Sequence, residues 1–127
     1  MHRSLSLFCA LAFAASIAPT SALAAGDVAA GKEKFTMFCV TCHGETGKGD
    51  GPGGQGLTPP PRDFSKGEFK FDANKNGKVG EDADLKLVIS KGPAEYGGAP
   101  FMPAWGGTLS DADIDNVIAV IRSLKKK

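Results

Sequence analysis

Cys39, Cys42 and His43 stand in the run CVTCHGETGKGDG, residues 39–51: two thiols three positions apart, an imidazole beside the second, then a chain rich in glycine. Three chemistries use such residues: a redox dithiol, half of a structural zinc site, and the covalent attachment point of a c-type haem. In the last, the thiols add to the two vinyl groups and the imidazole is held against the iron. A structural zinc site needs a second Cys/His pair, and beyond residue 24 the chain has no other cysteine or histidine. A thioredoxin-type dithiol sits at a helix start after a strand, and no strand pattern precedes Cys39. Haem attachment employs all three residues at once, but a five-residue motif needs support from the rest of the chain.

If His43 takes one axial position, the other decides between electron transfer and ligand binding. Only Met37 and Met102 offer a thioether beyond residue 24. Met37 precedes Cys39 by two residues and reads as a core residue beside Phe35 and Phe38. Met102 lies 59 residues after His43, in YGGAPFMPAWGG. Pro100 and Pro103 stiffen its backbone, and Gly97, Gly98, Gly106 and Gly107 let the loop pack close to a flat ring. The alternative is that Met102 only lines a pocket beside Phe101 and Trp105, leaving a five-coordinate iron. His/Met ligation raises the potential and favours one-electron shuttling over oxygen chemistry.

The elements that must position these residues are helical. GDVAAGKEKFTMFCVTCH reads as one helix with Asp27 as N-cap and Val28, Gly31, Phe35 and Phe38 on one face. DADLKLVISKGP is a shorter one, with Leu85, Val88 and Ile89 on a face and Gly92-Pro93 as its stop. The last, SDADIDNVIAVIRSLKKK, has Ser110 as N-cap and Asp113 three residues on, approximating a capping box, with Leu109 and Ile114 as staple. Its stripe is Ile114, Val117, Ile118, Ile121 and Leu124. Glycine- and proline-rich loops make up the rest, with no clear strand and no internal repeat. Three helices and long loops are little core for about 100 residues, so something apolar should fill the middle.

Residues 1–24 read as a signal peptide: Arg3 in a basic start, an apolar run from Leu5 to Ala18, and small residues at Ala22 and Ala24. The run is shorter than the ~20 residues of a membrane span. Cys9 lies within it and is lost on cleavage near Ala24. The remaining 25–127 form one domain with 14 basic and 14 acidic residues. No overall basic field for nucleic acid remains, and no second long apolar segment.

The chain resembles the class I cytochromes c, small soluble single-haem carriers of bacteria. The resemblance rests on Gly31 and Phe35, Cys39-Val-Thr-Cys42-His43, GKGDGPGG, LTPPPRDF, Met102-Pro-Ala-Trp105 and LSDADIDNVIAVIRSL, which together cover nearly all of residues 26–124. It implies an all-α cytochrome c fold of three or more short helices around one haem c. Cys39 and Cys42 would hold the haem covalently, and His43 and Met102 would be axial. The carbonyl of Pro60 or Pro61 would accept the hydrogen bond of the proximal imidazole. Trp105 would border the haem, and Arg62 and Tyr96 are candidate partners of its propionates. Gly31 would lie where the first and last helices cross. Val120 stands where relatives often carry an aromatic residue, so a looser crossing is expected.

One stretch stands apart. FDANKNGKVGEDADL places Asp72, Asn74, Asn76 and Gly77 in the spacing of the first half of an EF-hand loop, but Ala83 replaces the glutamate at its twelfth position. Asp82 and Asp84 flank it. The favoured reading is a polar turn leading into an N-cap at Asp82 or Asp84; the other is a structural calcium site. The function implied is an exported, periplasmic electron carrier between redox proteins and not an enzyme in itself, though it can serve as the electron-accepting subunit of a dehydrogenase. The alternative is a haem enzyme or gas sensor with an open sixth site. Lys48, Lys66, Lys70 and Lys91 are candidates to surround the haem edge and steer an acidic partner.

Overall fold

The computed structural model describes residues 25–127, so the expected leader, with Arg3, Cys9 and the cleavage site at Ala24, lies outside the described residues. Four α-helices follow one another: α1 (Val28–Phe38), α2 (Val40–His43), α3 (Asp82–Lys91) and α4 (Asp111–Ser123). Single 3₁₀ turns stand at Pro52–Gly54, Phe64–Lys66 and Pro93–Tyr96. No strand occurs among the described residues, in keeping with the all-α expectation.

α1 begins as its sequence dictates: the Asp27 carboxylate accepts the N–H of Ala30 at 2.8 Å. The single helix expected over residues 26–43 restarts at Cys39. The N–H of Cys39 still bonds to the carbonyl of Phe35, while its own carbonyl accepts from His43 at 2.8 Å and starts α2. Both thiols and the imidazole are thereby fixed by one short turn, which Gly44 ends at a φ of 77°.

α1 crosses α4 at Gly31, where a Cβ would collide with the Asn116 carbonyl and lie 2.8 Å from Val120 Cγ2. Val120 is buried there, so the contact itself is tight. The looseness expected at Val120 lies alongside, as a hollow of about 240 Å³ lined in part by Phe35, Val40, Val120 and Leu124. Met37, expected in the core, is 54% exposed. Two residues at 100° each turn it away from Phe35, whereas Phe38 stays on the Phe35 face.

α4 carries its expected capping box: Ser110 Oγ accepts from Asp113 N–H, and the Asp113 carboxylate accepts from Ser110 N–H, both at 3.1 Å. Leu109, Ile114, Val117, Ile118 and Ile121 are buried with Leu85 and Ile89 of α3. Each such side chain contributes about 1.5–3 kcal/mol. The ion pairs joining α3 to α4, Lys86 with Asp115 at 2.9 Å and Arg122 with Asp82 at 2.8 Å, add less than about 1 kcal/mol apiece.

Candidate functional site

A cleft of about 580 Å³ cuts into this core. Cys39, Cys42 and His43 line it from α1–α2, and Pro60, Pro61, Arg62 and Phe64 from the segment after the glycine run. Met102 and Trp105 line it from the loop between α3 and α4, and Leu85, Val88, Ile89, Val117 and Ile121 from the helices. The cleft therefore brings together the thiols, the imidazole and the thioether singled out above. An apolar hollow of this size among core side chains suits a large, flat, apolar group with a few polar contacts.

His43 is held at two points. Its Nδ1 lies 3.2 Å from the Arg62 carbonyl, which makes Nδ1–H the donor and leaves Nε2 for a ligand. Its ring stacks on Phe64, centroids 4.5 Å apart and planes 17° from parallel. Burial lowers the imidazole pKa below its usual value, with the Arg62 contact opposing, so a neutral ring suited to metal binding is favoured. The carbonyl expected from Pro60 or Pro61 is thus that of the next residue. The Pro61 carbonyl packs against Gly49, where a Cβ would collide with it.

Cys39 and Cys42, both partly buried, are not joined by a disulfide. Burial, with Cys42 close by, pushes the Cys39 thiol up to about 11. Within the glycine run of residues 44–56, a Cβ at Gly51 would collide with the Thr41 carbonyl, and one at Gly54 would lie 2.7 Å from that of Cys42.

Met102 is half-buried and packs on the core, between exposed Phe101 and Pro103. Its loop is tied to α3 by backbone: Trp105 N–H donates to the Ile89 carbonyl at 2.9 Å and Gly106 N–H to that of Ser90 at 3.0 Å. Trp105 also packs on Phe38, ring centroids 5.2 Å apart. Tyr96, expected at the cleft, is not among its lining residues. The turn closes through Gly98 N–H on the Pro93 carbonyl, which brings Pro93, Gly97 and Gly98 to the wall in its place. Of the four lysines expected at the edge, only Lys70 lines the cleft.

In the loop before α3, oxygens of the tentative calcium set bond to the chain. Asp72 accepts the N–H groups of Asn76 and Gly77, Asn74 accepts from Asn76, and Asn76 accepts from Lys78. Asp82 pairs with Arg122, and the N-cap is Glu81 rather than Asp82 or Asp84. Asp84 is 1% exposed and accepts from Asn74 and Glu81 at 3.1 and 2.9 Å. Its burial would raise the carboxyl, but those contacts and the N–H groups of Ala73 and Gly80 hold it below its usual value. Among the described residues, no cluster of three or more His, Cys, Asp or Glu is arranged to hold a metal ion.

Two contributors escaped the sequence reading. Phe64 lay in the LTPPPRDF run without an assigned role, and Asp84 was read as a candidate N-cap or calcium ligand and not as the buried N3 acid it is. The signal for Asp84 was present in Glu81 and Asp84, two acids at the N-cap and N3 spacing of a capping box.

A family model described as Cytochrome c matches residues 28–125. The chain is 35% identical to a cytochrome c6 of Rippkaea orientalis over 122 residues, covering 95% of this chain and 92% of that one. Among solved structures, a chain of the reducing HAO-like protein complex of Kuenenia stuttgartiensis superposes with a TM-score of 0.63 at 30% identity, covering 78% of this chain. The match spans only 43% of that longer chain. A cytochrome c6 from the diatom Phaeodactylum tricornutum gives 0.50 at 28% identity, with 77% and 93% of the two chains covered.

Proposed function

The chain belongs to the cytochrome c family, and from that premise we propose an exported one-electron carrier whose haem c is attached through Cys39 and Cys42, with His43 and Met102 as axial ligands. Covalently bound haem c comes with membership of the family; bound here, it would supply a one-electron Fe(III)/Fe(II) couple. The observation that carries the site assignment is that one apolar cleft gathers both thiols, the only imidazole beyond residue 24 and Met102.

Each residue then has a task the chain itself supports. The Arg62 carbonyl holds the proton on Nδ1 and Phe64 limits rotation of the ring, so Nε2 is oriented before any metal arrives. The thioether of Met102 is uncharged and soft, and with His43 it would leave iron no open position. Phe64, Leu85, Ile89 and Trp105 exclude water, and Arg62 would meet a propionate. In this reading one domain over residues 25–127 follows a leader removed near Ala24, and the carrier works in the periplasm. No helix among the described residues is long and apolar enough to cross a membrane.

Exposed Phe101 and Pro103 on either side of Met102 favour one second reading, a sixth position that opens to small ligands. The proposal is tested by the mass of the exported protein. One haem added to residues 25–127, lost in a Cys39→Ala/Cys42→Ala variant, and reversible uptake of one electron per chain are expected. A mass without haem, or reduction that is not reversible, contradicts it.

A further inference from the structure

The charges on this molecule are unevenly matched. Around the first turn of α4, Asp111, Asp113 and Asp115 meet Lys34 and Lys86 across the helix contacts. About 20 Å away, at the other end of this 13-residue helix, Lys125, Lys126 and Lys127 take part in no ion pair among the described residues, nor do Lys48 and Lys66. All five are exposed.

These lysines belong to one patch. Lys126 N–H donates to the Ser65 carbonyl at 3.0 Å, and Phe64 N–H to that of Gly47 at 2.7 Å. The Lys125 side chain passes over Gly67, where a Cβ would lie 2.5 Å from its Cδ. Asp63 lies close enough to Lys48 and Lys66 for both to lower its carboxyl, although its main stabilising contact is with Ser65. Asp63 is thus a counter-charge within reach of this patch.

We propose that Lys48, Lys66, Lys125, Lys126 and Lys127 form a docking face for an acidic protein surface, separate from the mouth of the cleft. Unpaired cations grouped on one face raise the rate of encounter with an anionic surface, the more so at low ionic strength. A protein is favoured over an anionic membrane because the exposed large apolar side chains, Val28, Met37, Val79 and Phe101, are none of them in this patch. Stable adsorption to lipid needs an apolar anchor besides the charge. The location also has a consequence for electron exchange. Phe64 stacks on His43 and lies 3.2 Å from where a Gly47 Cβ would stand, next to Lys48. Phe64 thus lies between this face and the imidazole. That the acidic partner is a redox protein rests on the carrier reading; the binding face does not.

The test uses the reduced, isotope-labelled holoprotein and a short polyglutamate peptide at low ionic strength, followed by amide chemical shifts. Shifts are expected at residues 47–48, 65–67 and 122–127, with affinity falling roughly tenfold or more in Lys66→Glu/Lys125→Glu/Lys126→Glu. The visible spectrum of this variant should match wild type, since none of the three residues touches the cleft. No binding, or shifts centred on Lys70 and Phe101, overturns the face. Tighter binding to phosphatidylglycerol–phosphatidylcholine vesicles than to the peptide overturns the assignment to a protein partner. Failure of the carrier reading would show separately, as the absence of reversible reduction with the peptide shifts intact.

Discussion

The His43 and Met102 segments line the same cleft but are held in different ways. His43 is fixed through its own side chain, by the Arg62 carbonyl at Nδ1 and the face of Phe64 on the ring. Met102 is carried by a loop whose backbone is tied to the end of α3 through Trp105 and Gly106, between two exposed neighbours. The first arrangement orients a ring; the second fixes a place in the chain and leaves the thioether some freedom. A substitution among the residues that support His43 should therefore disturb the ring, whereas one among those that support the Met102 loop should act through α3.

The largest expected effect tests that dependence on α3. Asp84 anchors the start of α3 and the loop before it, so Asp84→Ala would leave buried N–H groups without an acceptor, at a cost of about 3 kcal/mol by denaturant unfolding. Its folded pKa is depressed, so the unfolded chain takes up the proton first as pH falls. That stability is full above the usual carboxylate range, declines as pH falls through it, and is gone only below the depressed folded value. Asp84→Asn should flatten the acid limb of the stability profile; an unchanged limb would deny Asp84 its anchoring role.

A smaller effect sharpens the other side. Phe64→Leu should cost about 1–2 kcal/mol in packing and also shift the spectroscopic signature of the imidazole plane, while Phe64→Tyr restores it. Loss of stability with no spectroscopic change would reduce Phe64 to ordinary core. The smallest is calcium: with its oxygens bonded to the chain, the 72–84 loop should give no shift in Tm at millimolar calcium. A rise in Tm would restore the calcium reading.

Much of this was legible in the sequence because it depends on local signals. The caps at Asp27 and Ser110, the helical stripes and the Cys-x-x-Cys-His spacing each act within a few residues. Gly31 was legible too, since a glycine inside a helix calls for a packing reason. What escaped was set by tertiary contact. Nothing local tells which carbonyl in Pro60-Pro61-Arg62 turns toward His43, since the choice is made by a contact 19 residues away along the chain. Lys48 and Lys66 read as candidates for the haem edge until the end of α4 is seen beside them. The glycine run is read easily as flexible, but its close approach to the backbone of α2 appears only in three dimensions.

The central claim is that His43 and Met102 share one iron. The most direct test is the visible spectrum of the oxidised and reduced holoprotein, wild type and Met102→Ala, with carbon monoxide added to the reduced forms. A methionine–iron charge-transfer band in oxidised wild type that vanishes in Met102→Ala, with rapid carbon monoxide binding only in the variant, is the predicted result. A band absent from both proteins, with wild type binding carbon monoxide at once, would contradict it.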